Sequence, residues 1–146
     1  MQIVDDNTII AQLSDEEKGD YFTLYNIGGN KDILLMAWVG EDLGPERAGK
    51  AFKIIEETLQ VDKPTTLIGD IRKLKSDWTY LIQDFIDTHI PYYKSKGVKK
   101  LVHVYPPEEK TKLASFIIQA NQLKFKGVTF KLFDQLDDAY SWAESN

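Results

Sequence analysis

Two stretches hold residues whose types and spacing could do chemistry. The first is Gly44-Pro45-Glu46-Arg47-Ala48-Gly49-Lys50, which has the GxxxxGK spacing of a phosphate-binding loop between a predicted strand and a predicted helix. Three residues oppose that chemistry. Ala51 stands where a Ser or Thr would bind magnesium, Pro45 lacks an N–H for the cradle, and Glu46 puts a carboxylate where phosphates would lie. The stretch reads instead as a helix N-terminus with a Gly-Pro entry and an acidic first turn.

The second stretch is Asp70, Arg72, Lys73, Ser76, Asp77 and Trp78, which follows a predicted strand. Ligands of open α/β sheets lie beyond the carboxyl ends of parallel strands, and Glu41, Asp42, Tyr105 and Pro107 fall at the ends of neighbouring strands. Asp70 and Asp77 could bind a cation or act as acid and base. Each also has a plain role: Asp70 to cap a turn, Asp77 to complement a helix dipole, Ser76 to serve as N-cap. A partner-binding surface at this edge is favoured over catalysis.

Other reactive residues are few. The chain has no cysteine, which excludes disulfides, thiolate metal sites, iron–sulfur clusters and cysteine nucleophiles. The two histidines, His89 and His103, rule out a histidine-rich metal site, and neither has triad spacing to a Ser or Asp. Both read as structural, and no cofactor is expected. Trp38, Trp78, Trp142, Tyr92, Tyr93 and Tyr105 could line a pocket for an apolar ligand, but at periodic positions they read first as core.

The elements that must position these residues follow from hydrophobic periodicity. Strands are predicted at 8–13, 21–27, 33–39, 65–71, 100–105 and 128–133. The polar link after the first could hold one helical turn, since Ser14 and Glu17 fit a capping box. Gly28-Gly29-Asn30-Lys31-Asp32 makes a hairpin, and the apolar run Ile33–Val39 is a strand buried on both faces. A helix over 46–59 carries Ala48, Ala51, Phe52, Ile55 and Leu59 on one face. The most regular amphipathic helix begins at Ser76, with Trp78, Leu81, Ile82, Phe85, Ile86 and Ile90 inward, and Pro91 ends or kinks it. Helices over 108–123 and 136–144 follow. The order β-β-β-α-β-α-β-α-β-α predicts one α/β domain over 1–146, a mixed sheet with an N-terminal antiparallel hairpin and βαβ units.

Composition bounds the partners. The 146 residues carry a net charge of −5, which argues against nucleic acid. Between Lys94 and Lys131 only Glu108 and Glu109 are acidic, yet Lys94, Lys96, Lys99 and Lys100, like Lys124 and Lys126, fall where helices end, and cations there complement helix C-termini. No apolar run approaches the ~20 residues of a membrane span. The start Met1-Gln2-Ile3-Val4-Asp5-Asp6 lacks the pattern of a signal peptide, so a cytoplasmic location is expected.

With the elements in this order the chain resembles the STAS-like proteins, specifically the SpoIIAA-like branch related to anti-sigma-factor antagonists and the lipid-binding Sec14 fold. The match runs from about Ile33 to Trp142. It rests on the strand Ile33–Gly40 leading to a helix, the strand ending in Asp70, the helix start Ser76-Asp77-Trp78, and the closing Phe133-Asp134-Gln135-Leu136-Asp137-Asp138-Ala139-Tyr140-Ser141-Trp142. The resemblance implies a domain that works by binding. Antagonists carry an Asp-Ser-Ser-Gly-like motif with a phosphorylated serine after the central strand. This chain has Lys75-Ser76-Asp77-Trp78 there, with Ser76 the nearest candidate and the motif not kept. The reading is a non-enzymatic regulatory or interaction module with a protein partner at Asp70, Arg72, Lys73, Ser76, Asp77, Trp78 and Tyr105. The alternatives are a carrier of a small apolar ligand and an enzyme using Asp70, Asp77 or His103. An unpaired N-terminal strand could also join two copies edge to edge.

Overall fold

Period-two alternation over Tyr21–Ile27 and unbroken apolar runs from Ile33 onward produce different kinds of strand in one sheet. The computed structural model describes residues 8–17, 19–27, 30–41, 43–75, 79–81, 84–109 and 128–145. Strands β1 (Thr8–Asp15), β2 (Gly19–Ile27) and β3 (Asn30–Gly40) form an antiparallel meander. Strands β4 (Thr66–Leu74), β5 (Lys100–Val104) and β6 (Thr129–Phe133) extend it in parallel with β3. The spatial order is β1-β2-β3-β4-β5-β6, so the mixed α/β sheet has the form the sequence predicts.

Sequential order has a consequence for the helices. Right-handed crossovers that all step in one direction place their helices on one face. Helix α1 (Gly44–Asp62) and helix α2 (Ile90–Ser95) accordingly lie on the same face, over a core that includes Phe22, Leu24, Trp38, Ile55, Leu67, Ile86 and Tyr93. The other face is covered by the last helix, α3 (Leu136–Glu144), whose Ala139, Tyr140 and Ala143 pack on Ile33, Leu35, Ile68, Val102 and Val104. β3 is thus buried on both faces, as its apolar run requires. Lys100 fixes α3: its Nζ donates to the carbonyls of Trp142 (3.2 Å), Ala143 (3.3 Å) and Ser145 and lies 5.0 Å from the Trp142 ring. One of the basic-cluster lysines therefore does complement a helix C-terminus.

Several predicted boundaries shift. Ser14 and Glu17 make no helical turn. Ser14 and Asp15 continue β1, Ser14 Oγ donates to Asp20, and Asp15 Oδ1 accepts the Glu17 N–H at 2.8 Å. Side-chain bonds of this kind offer the backbone a turn in place of a helix. The GxxxxGK stretch is helical from Gly44 onward, with Lys50 3.7 Å from Glu46 one turn back, so no phosphate loop forms. Helix α1 ends where Lys63 takes the left-handed conformation (φ 44°) before Pro64. β4 runs three residues past its predicted end, through Arg72-Lys73-Leu74, and pairs there with β3 across a bulge.

The predicted long helix departs most. Residues 76–78 and 82–83 lie outside the described residues, and Thr79–Leu81 form a 3₁₀ turn. Phe85–His89 form a widened π turn, closed by Ile90 N–H donating to the Phe85 carbonyl, and α2 follows. Pro91 explains the widening, because its ring clashes with the carbonyl four residues back and it has no N–H to give. Where a helix is predicted over 108–123, Pro107–Glu109 form a 3₁₀ turn, and the residues from 110 on lie outside the described ones.

Candidate functional site

The outer end of β4 brings together two of the predicted site residues. Pairing between β4 and β5 stops at Asp70↔Val104, whereas β4 continues to Leu74. Strand alternation turns Asp70 and Arg72 to one face. Arg72 Nε and Nη2 donate to the two Asp70 oxygens at 2.9 and 2.8 Å, and the Arg72 N–H adds a third bond at 3.1 Å. Asp70 thus makes the Asx-type bond to the backbone two residues on that a turn cap makes, but it does so within the strand and also orients the Arg72 guanidinium. The hydrogen bond to Asp70 raises the Arg72 pKa against the opposing effect of burial, and the charges of Asp70 and Asp137 add to it.

The other predicted residues divide. Lys73 is exposed on the same projecting strand end. Tyr105 packs into the core under α1 and α2, on the face opposite Arg72, while its N–H donates to the Phe133 carbonyl at 3.0 Å. Ser76, Asp77 and Trp78 lie outside the described residues. His103 also points to the α1–α2 face, where its ring meets Phe85 (5.7 Å between centroids) and Phe130 (5.3 Å), and burial pushes its pKa down to about 4. Asp70 and His103 thus face opposite sides of the sheet and do not converge on one cavity. Of the aromatics, Trp38 is buried against Phe22 and Phe52, and Trp142 packs by Phe133 on the far face.

A second constellation is not apparent from spacing. A cleft of about 380 Å³ has on one side the α1 residues Pro45, Ala48, Gly49, Phe52, Lys53 and Glu56 and on the other Tyr80, Leu81, Asp84 and His89. His89 is 8% exposed, and its ring stacks on Phe52 with centroids 3.9 Å apart. Its Nε2 lies 3.2 Å from Asp84 Oδ2, and its Nδ1 lies 3.8 Å from Glu56 Oε1. Thr88 Oγ1 donates to the other Asp84 oxygen at 3.1 Å. Residues five apart point away from each other on an α-helix but come onto one side when a π turn inserts a residue. The turn before Pro91 therefore creates the Asp84–His89 pair. Burial lowers the His89 pKa, against the opposing pull of Asp84 and Glu56.

Among the described residues no group of three or more His, Asp or Glu side chains converges as a metal site. No described helix is long and apolar enough to cross a membrane.

No family model and no curated protein matches the chain. One solved structure does, an uncharacterized protein of the DUF3478 family from Shewanella loihica PV-4, described as having a SpoIIAA-like fold. The two are 18% identical, with a TM-score of 0.51 over 94% of this chain and 93% of that one. At that identity the likeness is one of fold, and it agrees with the meander, parallel strands and two-faced core described above: this chain has a SpoIIAA-like fold.

Proposed function

We propose that the chain is a non-catalytic STAS-like interaction module of the cytoplasm that regulates a protein partner by binding it at the projecting end of β4. The observation that supports this reading is the Asp70–Arg72 pair. A guanidinium held in a two-pronged carboxylate bond has lost its rotamer freedom before any partner arrives, which lowers the entropic cost of recognition. Arg72 keeps about a third of its side chain exposed, with Lys73 beside it. The parallel strands run in sequential order with no reversal, which favours a surface at this edge over a switch-point crevice for a small substrate. A second copy pairing on β1, an edge strand bonded to β2 alone among the described strands, is a further mode of association.

The test is affinity purification from the native cell, followed by titration of the recovered protein against wild type and the Arg72→Glu/Lys73→Glu variant. A loss of tenfold or more in affinity, with an unchanged circular dichroism spectrum, is expected. Equal binding by the variant, or recovery of no specific protein by wild type, overturns the proposal.

A further inference from the structure

The cleft beside His89 has a chemistry of its own, independent of the β4 surface. The Asp84 carboxylate, 3.2 Å from Nε2, takes the Nε2 proton as its hydrogen-bond donor. That leaves the lone pair on Nδ1 as an acceptor. Nδ1 is fully buried and has no hydrogen-bond partner among the described atoms. The nearest charged oxygen, Glu56 Oε1, is also an acceptor, and 3.8 Å is too long for a hydrogen bond. Nδ1 is thus a buried acceptor that lacks a donor, and the part-exposed Glu56 carboxylate lies close enough for one donor beside them to reach both.

We propose that this cleft binds a protonated amine carried on an apolar body, the ammonium bridging His89 Nδ1 and the Glu56 carboxylate. The walls fit such a ligand. Phe52 holds the imidazole plane from one side, while Pro45, Tyr80 and Leu81 supply apolar surface. Gly49 lies on the α1 wall, and a Cβ there would meet nothing within 4 Å, so the helix backbone is open to a ligand at that point. The volume is within the ~300–1,000 Å³ range of small-molecule sites. The charge balance also favours a cation. Glu56 and Asp84 outnumber Lys53 in the lining, and the buried Tyr93 behind them stays un-ionised, its pKa raised by burial and by Glu56. A neutral His89, the form burial favours, leaves Nδ1 free to accept.

The probes are tryptamine and benzylamine, each compared with its alcohol counterpart (tryptophol, benzyl alcohol) and with indole-3-acetate as an anion, by calorimetry and by ¹⁵N-detected NMR of the histidine rings. Saturable binding of at least one amine is expected, at least tenfold tighter than its alcohol, with no binding of the anion. Glu56→Gln should weaken the amine tenfold or more, and His89→Phe, which keeps the stacked ring, should do the same. Binding should also weaken as the pH falls and Nδ1 takes a proton. The free protein should show His89 as the neutral Nε2–H tautomer near pH 7.5. Three results overturn the proposal: no amine binding at millimolar concentration, equal binding of amine and alcohol, or a His89 that is charged or carries its proton on Nδ1. Unchanged amine affinity in both folded variants moves any binding elsewhere and also overturns it.

Discussion

The imidazole of His103 lies against the backbone of Gly69 on the neighbouring strand, so close that a Cβ at position 69 would come within 2.7 Å of His103 Cδ2 and 2.9 Å of Nε2. The ring is boxed in by Phe85 and Phe130 and cannot retreat freely. Glycine in a strand interior marks such close approach. Gly69→Ala should therefore destabilise the domain by about 1–3 kcal/mol in urea denaturation, despite the entropy that alanine removes from the unfolded chain. In Gly69→Ala/His103→Ala the alanine at 69 should cost much less than it does in wild type, because the smaller neighbour leaves room for the methyl group. Additive losses would show that the ring is not the obstacle.

The same ring gives the fold a pH dependence. A free histidine titrates near 6.5, whereas His103 resists protonation down to about 4. The unfolded chain therefore binds a proton that the native chain refuses. Stability is full above about pH 6.5, falls as the pH drops below it, and levels off under about pH 4. Between about pH 7.5 and 5.5 the loss from this group is on the order of 1 kcal/mol, and His89 adds to the same trend. Denaturant midpoints at the two pH values, compared between wild type and His103→Leu, should show a smaller drop in the variant.

The Asp70–Arg72 pair should contribute modestly to stability, because Arg72 is part-exposed and the bond is screened by water. Asp70→Ala is expected to cost about 1 kcal/mol, and Arg72→Lys should recover little of a lost pair, since an ammonium cannot replace the two-pronged contact. A double-mutant cycle read by thermal unfolding checks this. A coupling energy near zero would show that the geometry has no energetic weight.

Gly49 lies inside α1 with open space around its Cα. Its conformational freedom weakens the helix with no packing reason in return. Gly49→Ala should stabilise the domain by about 0.5–1 kcal/mol, visible as a rise in melting temperature. A loss of stability instead would mean that the bare backbone at position 49 makes a close contact in solution that a methyl group blocks.

Local rules reached the sheet and most of its covers. Apolar runs and alternation located all six strands, the Gly-Pro entry and the stripe Ala48, Ala51, Ile55 and Leu59 located α1, and Leu136–Glu144 is helical as its spacing predicts. The resemblance to SpoIIAA-like domains rested on that order of elements, and the fold agrees with it. Where boundaries moved, a nonlocal contact decided them. Arg72 and Lys73 look like turn residues, yet the β3 ladder carries the strand to Leu74, and the Asp70 carboxylate absorbs the arginine. The Asp70–Arg72 contact was within reach of spacing because its two residues stand two apart on one strand. The His89 cleft was not. Asp84 and His89 stand five apart, a spacing an α-helix separates, and Glu56 lies on another helix altogether. Pro91 signalled a break in the sequence, but only the folded chain decided that the helix would widen rather than stop. The core already holding Ile86, Ile90 and Tyr93 in place left the backbone to absorb the proline by adding a residue to one turn.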